Sequence, residues 1–310
     1  MDALGGLLDG PRARGAFVLR SSMDPPWSLR VQDEAPLTVL AVVRGTAWLQ
    51  PDGAVPAPLG AGDVAVVRGP SPYVVSDTPG RPPQAVIHPG QLCTDPDGRP
   101  LVAMAEVGVR TWGNSPDGAA LLLTGTYQLE SAVSRRLLAA LPGLAVVSAG
   151  DWDDPLVGYL AAEACRELPG QEAVLDRLLD LLLIAVLRRW MTRAEAPGPH
   201  WFRAQSDPVV GAALRQLHER PGVPWTLARL ATTVGVSRSG LARRFGELVG
   251  ETPMAYLTGW RLALAADLLR EPGATLGSVA RQVGYGSGYA LSAAFKRERG
   301  VTPREHRRTG

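Results

Sequence analysis

The sequence predicts an α+β protein of several domains, in which a β-rich N-terminal domain precedes a helical segment and an all-α C-terminal domain. Short apolar runs separated by Gly/Pro turns dominate residues 15–130, as in sandwiches and barrels. From about residue 129, apolar residues recur at helical spacing. Residues 207–310 contain one helical pattern twice, which indicates an internal repeat. We therefore expect domains at 1–130, 131–200 and 201–310.

Composition excludes several classes of protein. With 310 residues, 45% of them apolar and 20% charged, and a mean hydropathy near zero, the chain is globular and neither disordered nor fibrous. The longest candidate for an apolar span, residues 178–187, is too short for a membrane span and contains Asp180. The first residues lack the basic region of a secretory signal, and two cysteines are too few for a disulfide scaffold. We expect a cytoplasmic protein without membrane contact.

Charge is distributed unevenly along the chain. Residues 1–200 contain 16 Lys/Arg and 22 Asp/Glu, whereas residues 201–310 contain 16 Lys/Arg and 8 Asp/Glu. A basic C-terminal third on an acidic body is typical of a module that binds a polyanion, although a merely solvated basic face gives the same count. Charge alone leaves both interpretations open.

Turn signals divide the β-rich domain into short strands. The apolar run from Leu37 to Leu49 is interrupted at Arg44-Gly45, where we predict a hairpin turn. Pro51-Asp52-Gly53 predicts a second turn before the strand at residues 64–67. Five aromatic residues either line a pocket or fill the core: Trp27, Trp48, Trp112, Tyr73 and Tyr127.

The middle region, residues 131–200, predicts two helices at 155–168 and 171–192, separated by Pro169-Gly170. The second helix has a wide apolar stripe, made of Leu175, Leu178, Leu179, Leu182, Leu183, Val186 and Leu187. This stripe either packs on the β-rich domain or forms a helical dimer interface. The Pro/Gly-rich residues 194–200 predict a linker, where we place the domain boundary.

The internal repeat aligns residues 225–253 with residues 274–303. Its first matched pairs are 49 residues apart, and the later ones are 50 apart after one inserted residue. The pairs include Thr226/Thr275, Leu227/Leu276, Ala231/Ala280, Gly235/Gly284, Ser237/Ser287, Leu241/Leu291, Phe245/Phe295, Gly250/Gly300, Thr252/Thr302 and Pro253/Pro303. So many ordered matches are not expected by chance.

Each copy predicts a helix-turn-helix, at about residues 226–249 and 275–299. The threonine of each first pair is a helix N-cap, and the glycine that follows is suited to a helix end with positive φ. A serine caps the next helix, whose Leu and Phe at i and i+4 pin it to the first helix. Thr-Pro then starts another helix, and residues 256–270 predict a long helix between the copies. Asp207-Pro208 predicts one more helix before the first copy.

These motifs resemble the AraC/XylS family of transcription regulators, whose DNA-binding domain has two helix-turn-helix units joined by a long helix. The resemblance covers residues 205–309 and rests on Leu227 to Ala231, Gly235-Val236-Ser237, Leu241 to Phe245, Arg261-Leu262, Val279-Ala280, Val283-Gly284-Tyr285, Phe295-Lys296 and Gly300 to Pro303. It implies a regulator that binds double-stranded DNA in the major groove as a homodimer and contacts RNA polymerase if it is an activator.

In the first unit, the resemblance implies that residues 239, 242 and 243 face the bases. Arg243 can pair with guanine through two hydrogen bonds and is our main candidate for a specific contact. Ser239 is an adaptable partner, and Ala242 offers only apolar contact. Arg238 and Arg244 are expected at phosphates or in water.

The corresponding face of the second unit is poor in hydrogen-bond donors. It consists of Gly288, Tyr289, Ser292 and Ala293 and departs from the family's usual polar residues, which leaves Tyr289 as its one candidate base contact. Lys296, Arg297 and Arg299 add charge for phosphates. The helix N-termini at Ser287 and Thr302 are further candidates for phosphate contacts.

The run from Leu40 to Pro70 resembles half of a cupin motif, a β-barrel that regulators of this family use as a sensor. Metal-binding cupins use a His-x-His motif with a distal carboxylate and histidine, whereas His88 is the one histidine of this domain. We therefore expect no catalysis and no resident cofactor, but a barrel that binds a small-molecule effector. The alternatives are a cupin-type enzyme fused to a DNA-binding domain, and a constitutive DNA-binding protein whose barrel is a dimer scaffold.

His88 and Cys93 lie five residues apart across a Pro-Gly turn. They predict one of three arrangements: a thiolate activated by imidazole, half of a zinc site, or a buried cysteine beside a hydrogen-bonded histidine. Similarity to AraC-type regulators that sense oxidants through cysteine keeps the first arrangement open. Cys165 lies on an apolar helix and is expected to pack in the core.

Overall fold

The computed structural model describes residues 17–102, 104–127, 141–151, 155–192 and 204–308. The described residues up to 192 form one compact unit, and residues 204–308 form a second. Two predicted features, the change to helix near residue 129 and the linker at 194–200, lie outside the described residues.

Strands in the first unit follow the short runs that the sequence predicted. Their bounds are β1 Phe17–Met23, β2 Ser28–Val31, β3 Leu37–Arg44, β4 Thr46–Pro51, β5 Ala57–Gly60, β6 Val64–Arg68, β7 Tyr73–Ser76, β8 Ala85–Ile87, β9 Cys93–Thr94, β10 Ala105–Gly108, β11 Thr111–Gly113, β12 Ala120–Tyr127 and β13 Leu144–Val147.

These strands form two sheets that share one apolar core. One sheet has the order β10-β11-β1-β12-β3-β6-β13, and the other has the order β5-β4-β7-β2-β8-β9. Leu40 and Leu122 from the first sheet pack with Leu29 and Val75 from the second, around the fully buried Trp27. The mixed fold class is confirmed, and of the sandwich and the cupin-like barrel expected from the sequence, the described strands form a two-sheet sandwich.

The hairpin turn predicted at Arg44-Gly45 is wrong. Strand β3 pairs with β12 and β6, whereas β4 pairs with β5 and β7 in the other sheet. Gly45 therefore carries the chain from one sheet to the other. Its φ is 77°, and a Cβ atom there would lie 2.4 Å from the carbonyl oxygen of Ala119, so a glycine is required at this corner. The turn predicted at Pro51-Asp52-Gly53 is confirmed, because β4 and β5 pair antiparallel.

Two helices complete the first unit at the predicted places, α1 Leu156–Ala164 and α2 Gln171–Met191. Helix α2 packs on the seven-stranded sheet, where Leu179 covers Gly125 and its carbonyl accepts a 2.8 Å hydrogen bond from the Tyr127 hydroxyl. Of the predicted apolar stripe, all but the half-buried Leu178 are buried, so this face packs internally. No helix in the described ranges is long and apolar enough to cross a membrane.

The second unit is helical, as predicted. Its helices are α3 Pro208–Glu219, α4 Leu227–Thr233, α5 Arg238–Val249, α6 Pro253–Leu268, α7 Leu276–Gln282, α8 Gly288–Arg299 and α9 Pro303–Arg308.

Side-chain caps start these helices where the sequence placed them. The Thr226 and Thr275 hydroxyls accept from the backbone N–H groups of Arg229 and Ser278, each at 3.1 Å. In the same way, Asp207, Ser237, Ser287, Thr252 and Thr302 cap the helices that follow them. The repeat is therefore a repeat of capped helices with the predicted boundaries.

Candidate functional site

The two predicted helix-turn-helix units share one local geometry. Helices α4 and α5 are joined by a turn in which Gly235 has a φ of 75°, and Gly284 has a φ of 84° at the equivalent turn between α7 and α8. Leu241 and Phe245 are fully buried under α5, and Leu291 and Phe295 are fully buried under α8. Because these residues fix the inner face of each second helix, its opposite face is presented outward.

On α5, the outward face carries the residues predicted to meet DNA. Arg238, Ser239 and Arg243 are exposed, and Ala242 is half-buried. The Arg243 side chain is 71% exposed, and its guanidinium donates to both carboxylate oxygens of Glu247, at 3.1 and 3.2 Å. An exposed ion pair of this kind is weak, so Arg243 can exchange its partner for a base at small cost.

Arg244 has a different environment from its neighbours on α5. Its Nε donates at 2.7 Å to the carboxylate of Asp207, which also caps α3 by accepting from Val209 and Val210. Burial opposes ionisation of Asp207, but the Val210 N–H and the Arg244 guanidinium outweigh it and lower the pKa of this carboxyl. Arg244 thus ties α5 to the start of α3, a role that sequence reasoning missed because the two residues are 37 positions apart.

At the start of α8, Tyr289 is a large apolar residue that is 86% exposed. Ala293 and Lys296 are exposed, whereas Ser292 is half-buried. Gly288 is also half-buried, and a Cβ atom there would lie 3.2 Å from Cγ of Leu276, so this glycine lets α8 approach α7 closely.

The two predicted phosphate sites at helix N-termini differ. The Ser287 hydroxyl accepts from the N–H of Ala290 at 3.1 Å, and the residues there are exposed. At Thr302, by contrast, the Glu305 carboxylate accepts from the backbone N–H at 2.7 Å and from the hydroxyl at 2.9 Å. This carboxylate takes the position of an anion at α9, which disfavours phosphate there.

Arg261 on α6 is a positioning residue that the sequence did not single out as part of a site. Its guanidinium is half-buried and donates to the carbonyls of Pro221 and Val223, at 2.8 and 2.7 Å, in the loop before α4. It also lies over the ring of Tyr285, 6.0 Å from the centroid, in the turn of the second unit. Arg261 therefore connects both helix-turn-helix units to the long helix between them.

The first unit contains a pocket between its two sheets. Most of its wall is aliphatic, with Leu19, Leu40 and Leu122 from one sheet and Leu29, Val31, Val75 and Ile87 from the other. Of the five aromatic residues considered from the sequence, Tyr73 lines this pocket, whereas Trp27 is fully buried in the core. Burial, with the charge of Asp33 acting in the same direction, raises the pKa of Tyr73 above its ordinary value, so the phenol stays protonated.

His88 and Cys93 lie beside the pocket but not in contact with each other. In the β8–β9 hairpin Cys93 pairs with Ile87, and side chains alternate between faces, so Cys93 and His88 point to opposite sides. The imidazole of His88 is hydrogen-bonded to Gln32 at 3.2 Å and to Thr94 at 2.9 Å, while Cys93 packs against the core.

This arrangement favours packing over the other two interpretations of the pair. Burial raises the pKa of the Cys93 thiol, the reverse of what an activated thiolate needs. Among the described residues, no group of three or more His, Cys, Asp or Glu is placed to hold a metal ion, so the zinc interpretation finds no further ligands there. Cys165, expected in the core, is exposed at the end of α1.

Comparisons with known proteins agree with both units. A family model described as Cupin matches residues 2–192, and one described as Helix-turn-helix domain matches residues 230–309. A putative AraC-like transcription regulator from Streptomyces lividans is 35% identical over 287 residues, which cover 91% of this chain and 90% of the relative. This chain belongs to the AraC-like transcription regulators. A further AraC-like regulator, from Streptomyces antibioticus, is 35% identical over the same shares of the two chains.

Among solved structures, the AraC-type DNA-binding protein from Chromobacterium violaceum is 29% identical, with a TM-score of 0.32, and the match covers 34% of this chain and 95% of that one. As a member of the AraC family, the chain is a DNA-binding transcription regulator with a cupin domain and a double helix-turn-helix domain. The resemblance stated from the sequence is confirmed in both halves.

Proposed function

We propose that this AraC-family regulator reads DNA unequally with its two recognition helices. Helix α5 reads bases, chiefly through Arg243, with Ser239 and Ala242 beside it. The observation that carries the proposal is the position of Arg243. Its side chain is 71% exposed and points outward, because the buried Leu241 and Phe245 hold the opposite face of α5 against the domain. Arg238 contacts phosphates, and Arg244 acts mainly through its ion pair with Asp207.

Helix α8 holds the DNA backbone more than it reads sequence. Its outward face offers small side chains at Gly288, Ser292 and Ala293, and Tyr289 is the one large group placed to touch a base. Lys296 adds charge for phosphates, and the capped N-terminus at Ser287 presents N–H groups to the DNA. This half therefore contributes affinity and shape recognition.

The test is a binding-site mutation series with the full chain and a DNA site selected from random sequence. We expect sharp base preference in the half contacted by α5 and shallow preference in the other half. In a separate salt titration of residues 201–310, log affinity should fall against log salt with a slope of about −0.9 per phosphate contacted. A sharper preference in the α8 half, or an affinity independent of salt, contradicts the proposal.

The cupin domain is proposed to be an effector-binding and dimerisation domain without catalytic activity. On α2, Val174 and Leu181 lie seven residues apart on one face and are 43% and 49% exposed, with the half-buried Leu178 between them. This spacing is that of a coiled-coil seam, which suits a homodimer. Leu181→Glu should shift the sedimentation equilibrium toward monomer, while Val55→Glu, in an exposed turn of the same domain, should not.

Two further roles follow from DNA binding by the whole chain. A regulator of this kind acts in the compartment that holds bacterial DNA, the cytoplasm. If it is an activator, it contacts RNA polymerase. An effector that enters the pocket between the sheets is the proposed signal.

A further inference from the structure

Three residues with hydroxyl groups line the pocket between the sheets. Ser21, Thr124 and Thr126 line it from β1 and β12, and the side chains of Ser21 and Thr126 belong to residues only 5% exposed. These three residues give the β1 and β12 side of the pocket a polar strip within an otherwise aliphatic wall.

The described lining of the pocket has a negatively charged group but no positively charged one. Among the described residues that line it, Asp33 alone carries a charge, and no Lys, Arg or His is present. One carboxylate oxygen of Asp33 accepts from the backbone N–H of Ala35 at 3.1 Å, and the other has no partner in the described part of the chain. The carboxylate therefore offers one open acceptor to the pocket.

The ring of Tyr73 lies at the same end of the pocket as this carboxylate. Tyr73 and Asp33 both line the cavity and are close enough for the charge of Asp33 to act on the phenol. An aromatic ring beside a carboxylate is a favourable setting for a cation, because the ring face and the negative charge both attract it. Gln91, on the loop between β8 and β9, also lines the pocket.

We propose that the pocket binds a small amphiphile that carries a protonated amine, with the ammonium at Asp33 and Tyr73 and the apolar body between Leu29, Leu40 and Leu122. The inference rests on the proposed role of the cupin domain as effector site and names the class of that effector. An aliphatic amine is protonated at neutral pH and supplies the donors that the open carboxylate oxygen accepts.

The same features exclude other classes of ligand. A carboxylate or phosphate would be buried beside Asp33 with no cation to pair with, which is strongly unfavourable.

Three probes of one shape and different charge test the proposal on the full-length protein: 2-phenylethylamine, 2-phenylethanol and phenylacetate. Calorimetric titration at pH 7 should give saturable binding of the amine, with an affinity about 10- to 100-fold higher than that of the alcohol, because a charge-assisted hydrogen bond replaces a neutral one. Phenylacetate should not bind. A preference for the alcohol or for phenylacetate overturns the amine class but leaves an effector pocket in place, and no binding of any probe overturns the inference.

Two variants locate the bound amine. Asp33→Asn keeps the acceptor for Ala35 and should bring the amine within about threefold of the alcohol, whereas Thr124→Leu fills the cavity and should abolish binding of both. Asp97→Asn, a surface carboxylate paired with Arg99, is the matched control and should bind like the wild type. Unchanged amine binding in either pocket variant means that the amine binds elsewhere, which overturns the proposal.

DNA binding, measured on the same preparations with the selected site, separates this proposal from the proposed reading of DNA. If DNA affinity and base preference are as expected while the amine fails to bind, the effector class alone is wrong. If the amine binds as expected while the base preference of α5 is absent, the DNA-reading proposal alone is wrong.

Discussion

Removing the guanidinium of Arg243 is the most direct test of how the protein reads DNA. Arg243 is 71% exposed and Glu247 is 56% exposed, so their ion pair contributes only about 0.3–0.5 kcal/mol. A bidentate contact, in which arginine donates two hydrogen bonds to guanine, contributes about 1–3 kcal/mol. When the protein binds DNA, Arg243 loses its ion pair with Glu247 and gains the contact with guanine. Arg243→Ala should therefore weaken binding by the difference, about 0.5–2.5 kcal/mol, or about 2- to 70-fold.

The assay is fluorescence anisotropy with the full chain, the selected duplex and its single-base-pair variants. The loss caused by Arg243→Ala should occur at one base pair, where the variant protein no longer distinguishes the four bases. Glu247→Gln should act in the opposite direction and raise affinity about twofold, because it releases Arg243 and removes a negative charge from the side that faces DNA.

Folding is not expected to obscure this result, because both side chains are exposed and alanine favours helix. Arg238→Ala is the control, and its loss of affinity should be the same for every sequence. If Arg243→Ala also weakens all sequences equally, Arg243 contacts a phosphate, and the assignment of base reading to it is refuted.

Three further predictions concern the second recognition helix, the α3 cap and the cysteines. Tyr289→Ala should weaken DNA binding by more than Ser292→Ala, because Tyr289 is 86% exposed while Ser292 is half-buried. Asp207→Ala should lower the free energy of unfolding by about 1–2 kcal/mol in thermal or urea unfolding. Since the folded-state pKa of Asp207 is depressed, this difference is present above its unfolded value, near pH 4, and is lost as the pH falls through the folded-state pKa. Near neutral pH, Cys165 should be alkylated faster than Cys93 by iodoacetamide, because Cys165 is exposed and burial raises the pKa of Cys93.

Each of these predictions has a contrary outcome. Equal losses for both α8 variants would mean that Tyr289 does not reach the DNA. A difference between wild type and Asp207→Ala that does not shrink at any pH as the solution is acidified would show that the carboxylate charge does not stabilise α3. Faster alkylation of Cys93 would restore the activated thiolate that the structure disfavours.

The sequence was most informative where the structure depends on neighbouring residues. A helix cap is made by a side chain and an N–H group two or three positions later, so Thr226, Ser237 and Thr275 could be assigned without the fold. The positive φ of Gly235 and Gly284 is equally local, because it follows from the place of a glycine after a short helix. The repeat then supplied the second copy as confirmation of the first.

Features that depend on distant residues could not be predicted in this way. The corner at Gly45 is set by the approach of Ala119, and Arg244 is oriented by Asp207. The short interval between His88 and Cys93 suggested contact, but the register of a hairpin decides which side chains share a face. The pocket is made by strands from both sheets and has no signature in any one segment.

Comparison of the two copies separates residues that hold the fold from residues that are available for function. The caps and the buried Leu and Phe are retained in both copies, since each helix-turn-helix needs them to pack. The outward positions differ: where α5 has Arg243 and Glu247, α8 has Ala293 and Arg297 at the equivalent places. In α5 a guanidinium is held by a weak exposed partner at the face that a base edge would meet, whereas in α8 that place holds a methyl group and the positive charge lies one turn further along. We therefore propose that one scaffold presents a base-reading face in its first copy and a backbone-binding face in its second.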